Sequence, residues 1–285
     1  MSRVAREAPR LLLGATSLEL PARTTRDRAL EVAGRFREPE SLAVTMIKAL
    51  DAGAEGVYAV PSSRMRAALR ELRRPVPVLV RLPLTPAADD LHYEHALLAG
   101  PPGGENGGAT LNAGLSRLGS LSGDLAARII ARCDGEAPAL GARAWAGVAF
   151  AAPLTDLALA AGHARAFERL VRHGRSRYGL AGFETHNLVT LLARLREWGI
   201  APDFVIAAFN PRGVGMPPDY DAVLEAVRAA AVPVIATELR AGGIVSLAEG
   251  AAFAREHGAH GIVPELVDLE DVASELAALT SAAGR

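Results

Sequence analysis

Along the chain, short apolar runs alternate with amphipathic segments that end in Gly or Pro. "DAGAEGVYAVPSS" (51–63), "EWGIAPDFVIAAFNP" (197–211) and "EHGAHGIVPELVD" (256–268) share one grammar: a helix end, a Gly, an apolar run, then turn residues. "RRPVPVLVRLPL" (73–84) and "AAVPVIATELRAGG" (230–243) resemble each other in the same way. None of these runs shows clean polar alternation, and a strand buried on both faces of a parallel sheet needs none. The pattern predicts eight strands, near 10–15, 55–60, 76–82, 144–150, 179–184, 203–209, 232–237 and 260–264. It predicts helices at 40–52, 64–73, 112–133, 155–175, 188–198, 219–230, 246–257 and 269–280. Eight βα units in 285 residues predict a single-domain (β/α)8 TIM barrel over residues 1–285. The competing doubly wound sheet usually carries a Gly-rich turn after its first strand, and "LLLGATSLEL" holds one Gly.

Two connections are long, 18–39 after the first strand and 85–111 after the third. Both fall on the face of a barrel where strands end, so they are expected to be extended catalytic-face loops. The second contains "AGPPGGENGG" and is a candidate lid. Hydrophobic residues make up 50% of the chain, enough for a sizeable core. A formal net charge of −1 argues against a general nucleic-acid binder. Cys133 is the sole cysteine, so neither an intramolecular disulfide nor a cysteine-based metal cluster is available. No apolar stretch reaches the ~20 residues of a membrane span, and the N-terminal apolar run is too short for a signal peptide. The expectation is a soluble, cytoplasmic protein that meets a small-molecule substrate, no nucleic acid and no membrane, with a homo-oligomer left open.

The chemistry concentrates at the strand ends, which in a barrel point into the site. "GFETHN" (182–187) closes the fifth strand. Alternation puts Gly182, Glu184 and His186 on one side, with Phe183 and Thr185 on the other. Arg81 ends the third strand, Asn210 the sixth ahead of Arg212, and Glu238 the seventh ahead of Arg240, Gly242 and Gly243. Glu265 lies at the end of the eighth strand, Thr16 and Ser17 follow the first, and Ser62 and Ser63 the second. "FAAPLTD" after the fourth offers little. Each has a structural reading beside the functional one. Glu184 and His186 can cap a helix, Arg81 can neutralise Glu184 or Glu238, and Asn210 can simply start a turn with Pro211. "HYEH" (92–95) has metal-like spacing but reads more simply as a solvated loop cluster. The glycines of "RAGGI" allow backbone N–H groups to approach an anion, whereas "PELVDLED" after the last strand is acidic.

The stretch "ELRAGGIVSLAEGAAFAREHGAHGIV" (238–263) resembles the last two βα units of aldolase-type TIM barrels. The resemblance implies the fold and carries no catalytic residue over. Schiff-base aldolases of that type would require a lysine on a barrel strand. The only lysine, Lys48, falls within the helical "TMIKAL", which removes that chemistry.

Three functions are expected in descending order. The first is a lyase or isomerase acting without cofactor on a carboxylated or phosphorylated metabolite through an enolate. Glu184 or Glu238 is its base and His186 its acid. Arg81, Arg212, Arg240, Asn210, Gly242 and Gly243 bind the substrate. The second uses Glu184, His186 and Glu238 as ligands for Mg²⁺, Mn²⁺ or Zn²⁺, as a metal-dependent lyase, isomerase or hydrolase. The third is a non-catalytic barrel serving as a binding or scaffold subunit. With no Rossmann or P-loop fingerprint, a nucleotide cofactor is not expected.

Overall fold

The computed structural model describes residues 7–15, 18, 26–72, 75–83, 125–140, 145–264, 274–276 and 279. Eight parallel strands follow one another around the sheet in sequence order. They are β1 (Leu12–Gly14), β2 (Gly56–Ala59), β3 (Val78–Leu82), β4 (Trp145–Phe150), β5 (Ala181–Glu184), β6 (Phe204–Ala208), β7 (Val234–Thr237) and β8 (Gly261–Ile262). A parallel bridge from Leu11 to Ile262 brings the last strand back to the first. The eight expected strands are therefore the eight staves of a (β/α)8 barrel.

Among the described residues the helices are α1 (Arg26–Arg35), α2 (Pro39–Asp51), α3 (Ser63–Glu71), α4 (Leu125–Glu136), α5 (Ala152–Ala160), α6 (Ala164–Tyr178), α7 (Leu188–Trp198), α8 (Tyr220–Arg228) and α9 (Leu247–Glu256). Two expectations change. The helix expected at 155–175 is two helices, because the chain turns at Gly162, whose φ of 67° lies in the left-handed region. The stretch 18–39 contains α1 rather than loop alone. The expected lid at 85–111, "HYEH", Thr16, Ser17 and Glu265 lie outside the described residues.

Strand parity divides the apolar side chains into two cores. Leu12, Tyr58, Leu79, Ala149, Phe204 and Ile235 belong to the cluster that fills the barrel. Val57, Val78, Phe183 and Val205 belong to the larger cluster between strands and helices. Both faces of each strand are thus buried, which is why the sequence runs lack alternation. Gly182 makes room for one interior ring. A Cβ there would stand 2.3 Å from the Phe204 ring. Among the described residues, no helix is long and apolar enough to cross a membrane.

The N-terminal ends of the strands are tied by carboxylates. Asp203 accepts from Arg175 Nε at 3.0 Å and Nη2 at 2.9 Å, and from the Ala181 N–H at 2.8 Å. It thereby holds α6 and β5 to the entry of β6. Asp203→Ala leaves that N–H without its acceptor and the guanidinium with Ala201 O alone, at 2.7 Å from Nη2. The expected cost is about 2 kcal/mol, read as a fall of a few degrees in Tm. An unchanged Tm would show that the contact is replaced by water without loss.

Candidate active site

The strand ends bring together a compact group on the inner side of the barrel. Arg81 on β3 and Glu184 on β5 are 103 residues apart in sequence, and Arg81 Nε donates to Glu184 Oε2 at 2.5 Å. Both are largely enclosed, with 12% and 20% of their side chains exposed. The same Oε2 accepts the Ala152 N–H at 3.1 Å. Ala152 opens α5, so the carboxylate sits at a helix N-terminus, where unsatisfied N–H groups and the helix dipole favour negative charge. No side chain of α5's own N-cap, Ala151, provides that service. The local reason is sequence: "AAPLTD" starts a helix with Pro at its first turn and no Ser, Thr or Asp ahead of it.

Beside this pair lies Tyr58 of β2, 3% exposed. Its hydroxyl is buried and, among the described residues, makes no hydrogen bond of good geometry, although Glu184 and Arg81 stand within hydrogen-bonding reach. Burial pushes the phenol well above its usual range, the Glu184 carboxylate adds to the rise, and the Arg81 guanidinium opposes it. A buried unpaired hydroxyl is uncommon and costly, since tyrosine normally finds a partner when enclosed. Tyr58 was not singled out from sequence. It sits inside the apolar run "GVYAV", and the only signal was a hydroxyl on an inward-facing strand position.

His186 goes elsewhere. β5 ends at Glu184, so alternation does not extend to residue 186. The His186 ring lies against α5, with Nδ1 3.1 Å from Asp156 Oδ2, and its side chain is 48% exposed. Asp156 Oδ2 also accepts the His186 N–H, and Oδ1 accepts the buried Thr185 hydroxyl. Asp156 therefore staples the β5 exit to α5. It lies in "FAAPLTD", which had offered nothing, because its role depends on packing against a segment 29 residues away.

The remaining candidates separate. Asn210 is fully buried and spent on its own turn, accepting from the N–H groups of Arg212 and Val214 and donating to Val214 O. Arg212 is exposed. Arg240 Nη1 stands 3.9 Å from Glu275. Glu238 and Ala241 have φ of 55° and 51°, the left-handed region that non-glycine residues seldom enter. Gly242 and Gly243 follow at 72° and 93°. Around each of these two glycines, a Cβ would meet nothing within 4 Å. The proposed metal trio is not assembled: among the described residues no three His, Cys, Asp or Glu side chains stand close enough to hold an ion. Glu184 is committed to Arg81, and His186 to Asp156.

No family model and no curated protein matches the chain. Solved structures do. One from Pseudomonas aeruginosa, provisionally assigned as an aldo-keto reductase, superposes with a TM-score of 0.58 at 16% identity, covering 96% of this chain and 90% of its own. A second structure of that description from the same organism gives 0.57 at 15% identity, covering 86% and 85%. At such identity the likeness is one of fold, and it places the chain among TIM barrels. The expected resemblance holds as a broad one to TIM barrels and no finer. The matched barrels are described, provisionally, as reductases, which stands against the expected lyase or isomerase and the aldolase type. It also overturns the absence of a cofactor and the divalent-metal alternative, because such reductases work with NAD(P)H. The expectation of no nucleotide cofactor had rested on the missing Rossmann fingerprint. That fingerprint reports one βαβ solution for a dinucleotide, and a barrel can hold one with loops at its strand ends.

Proposed function

We propose that the protein is an NAD(P)H-dependent oxidoreductase that reduces a carbonyl compound at the barrel mouth, with Tyr58 as proton donor. The observation that carries this reading is the buried Tyr58 hydroxyl, unpaired among the described residues, next to Arg81. Carbonyl reduction needs a hydride on carbon and a proton on oxygen. A reduced nicotinamide, when bound, supplies the hydride. Tyr58 supplies the proton to the carbonyl oxygen. A phenol is protonated at neutral pH, so the donor is present in every molecule, and the upward shift from burial is opposed by Arg81. As the O–H bond breaks, the Arg81 guanidinium stabilises the forming phenolate, and the phenol is restored by a proton from solvent.

The chain fits the cofactor at one further place. The turn after β7 exposes backbone at Gly242 and Gly243 with open space around them, beside Arg240. The Gly243 N–H donates to Arg240 O at 2.9 Å and fixes the turn, so the open backbone at Gly242 and the Arg240 side chain are the groups that suit a diphosphate. Arg240 and Gly242 are therefore the residues assigned to hold it.

The test is direct. Calorimetric titration with NADH and NADPH should show binding of one of them, and mixing the complex with benzaldehyde should consume the reduced cofactor. Absence of binding by either nucleotide at millimolar concentration would overturn the reading.

A further inference from the structure

We infer that Arg81, the first turn of α5 and the Tyr58 hydroxyl form a carboxylate-binding site that Glu184 fills from within the protein. Glu184 thereby restricts the mouth to uncharged carbonyl substrates. The inference rests on the reading of the barrel mouth as the substrate site.

Glu184 is held as a bound anion would be. Its Oε2 takes a charge-assisted bond from Arg81 Nε at 2.5 Å and the Ala152 N–H at 3.1 Å. α5 is nine residues long, and its leading N–H has no side-chain cap from its own strand. The second, independent sign of a ligand site is Tyr58. A donor that is 3% exposed and, among the described residues, without a hydrogen bond of good geometry lies beside the same carboxylate. Three donor types from β2, β3 and α5 thus converge on one locus, and a fourth strand, β5, inserts the carboxylate. An arginine at a more open position would have been hydrated and needed no buried carboxylate. Here both partners are mostly enclosed.

Two consequences follow. With Glu184 in place the Arg81 charge is cancelled at contact distance. Ala149, Ala208 and Thr237, which share the inner parity of β4, β6 and β7, add no charge. A substrate carboxylate would therefore meet an arginine already engaged and a fixed carboxylate that repels it. An uncharged aldehyde or ketone meets neither penalty. This reverses the expectation that Arg81 holds a carboxylated metabolite.

Benzoate is the probe, titrated into the intact protein and into Glu184→Ala and Glu184→Ser, without cofactor or turnover. The serine variant retains a small polar group to bond the Ala152 N–H should the alanine variant fold poorly; melting curves establish which variants are folded. Benzoate is expected to bind at least about tenfold more tightly to a folded variant than to the unaltered protein. Adding Arg81→Met to that variant should abolish the gain. Equal benzoate affinity in the unaltered protein and a folded variant, or a gain that survives Arg81→Met, would overturn the inference. Because binding is read without hydride transfer, it decides this point even if benzaldehyde is not reduced. Where turnover is present, the preference for benzaldehyde over 4-carboxybenzaldehyde should narrow at least about tenfold in Glu184→Ser.

Discussion

Tyr58→Phe is expected to lower carbonyl reduction by about 10²–10⁴-fold while making the protein more stable. The two effects have one origin. The hydroxyl is enclosed and, among the described residues, unpaired, so the folded state carries its desolvation without a compensating bond. Phenylalanine fills the same volume in the barrel interior beside Leu79 and Ile206 and has no such group to satisfy. Removing an unsatisfied buried hydroxyl should raise stability by about 1–2 kcal/mol, a Tm increase of a few degrees. Alkaline stability gives a second check. The phenol's pKa is raised in the folded state, so its contribution is complete below the unfolded value of about 10 and is lost as pH rises through the folded value. Tyr58→Phe should therefore flatten the fall in stability above about pH 10. Thermal melts across pH, together with steady-state rates of cofactor consumption, separate the outcomes. A variant that is less stable and fully active would make Tyr58 a packing residue and end its role as acid.

Arg81→Met is expected to cost about 3 kcal/mol of stability, more than any substitution of an exposed arginine. It strands the Glu184 carboxylate with the Ala152 N–H of α5 and little access to water. The cost is taken at the low end for an enclosed pair, because 20% of the Glu184 side chain still reaches solvent. Removing both partners should be much milder, since an apolar pair of similar volume avoids both desolvation penalties. The measurement is a double-mutant cycle by chemical denaturation with Arg81→Met, Glu184→Met and both together. Recovery of most of the lost stability in the double variant is the expected outcome. Additive losses would show that Arg81 and Glu184 act on stability through separate contacts.

The positions of the elements were legible because they depend on local burial. An apolar run of a few residues flanked by Gly, Pro or Asn reads as a doubly buried strand wherever it occurs, and all eight runs became staves. The helix expected at 155–175 failed at Gly162, where a left-handed turn divides it, and α1 went unread within 18–39. Arg81 and Glu184 were also legible as inward strand-end residues. His186 was not, because the alternation rule holds only while the backbone remains a strand, and β5 stops at Glu184.

By itself, then, the sequence determined the barrel, the order of its strands and which strand ends carry polar groups. All three follow from hydrophobic periodicity and turn chemistry, which act over a few residues. Only the tertiary structure decided who meets whom. Glu184 could have paired with nothing or served as a base. The tilt and register of the closed sheet instead bring it to Arg81, 103 residues earlier, and to the start of α5. The same closure encloses the Tyr58 hydroxyl, unpaired among the described residues, and draws Asp156 onto the β5 exit. Such pairings depend on distances across the barrel, and no local pattern encodes those.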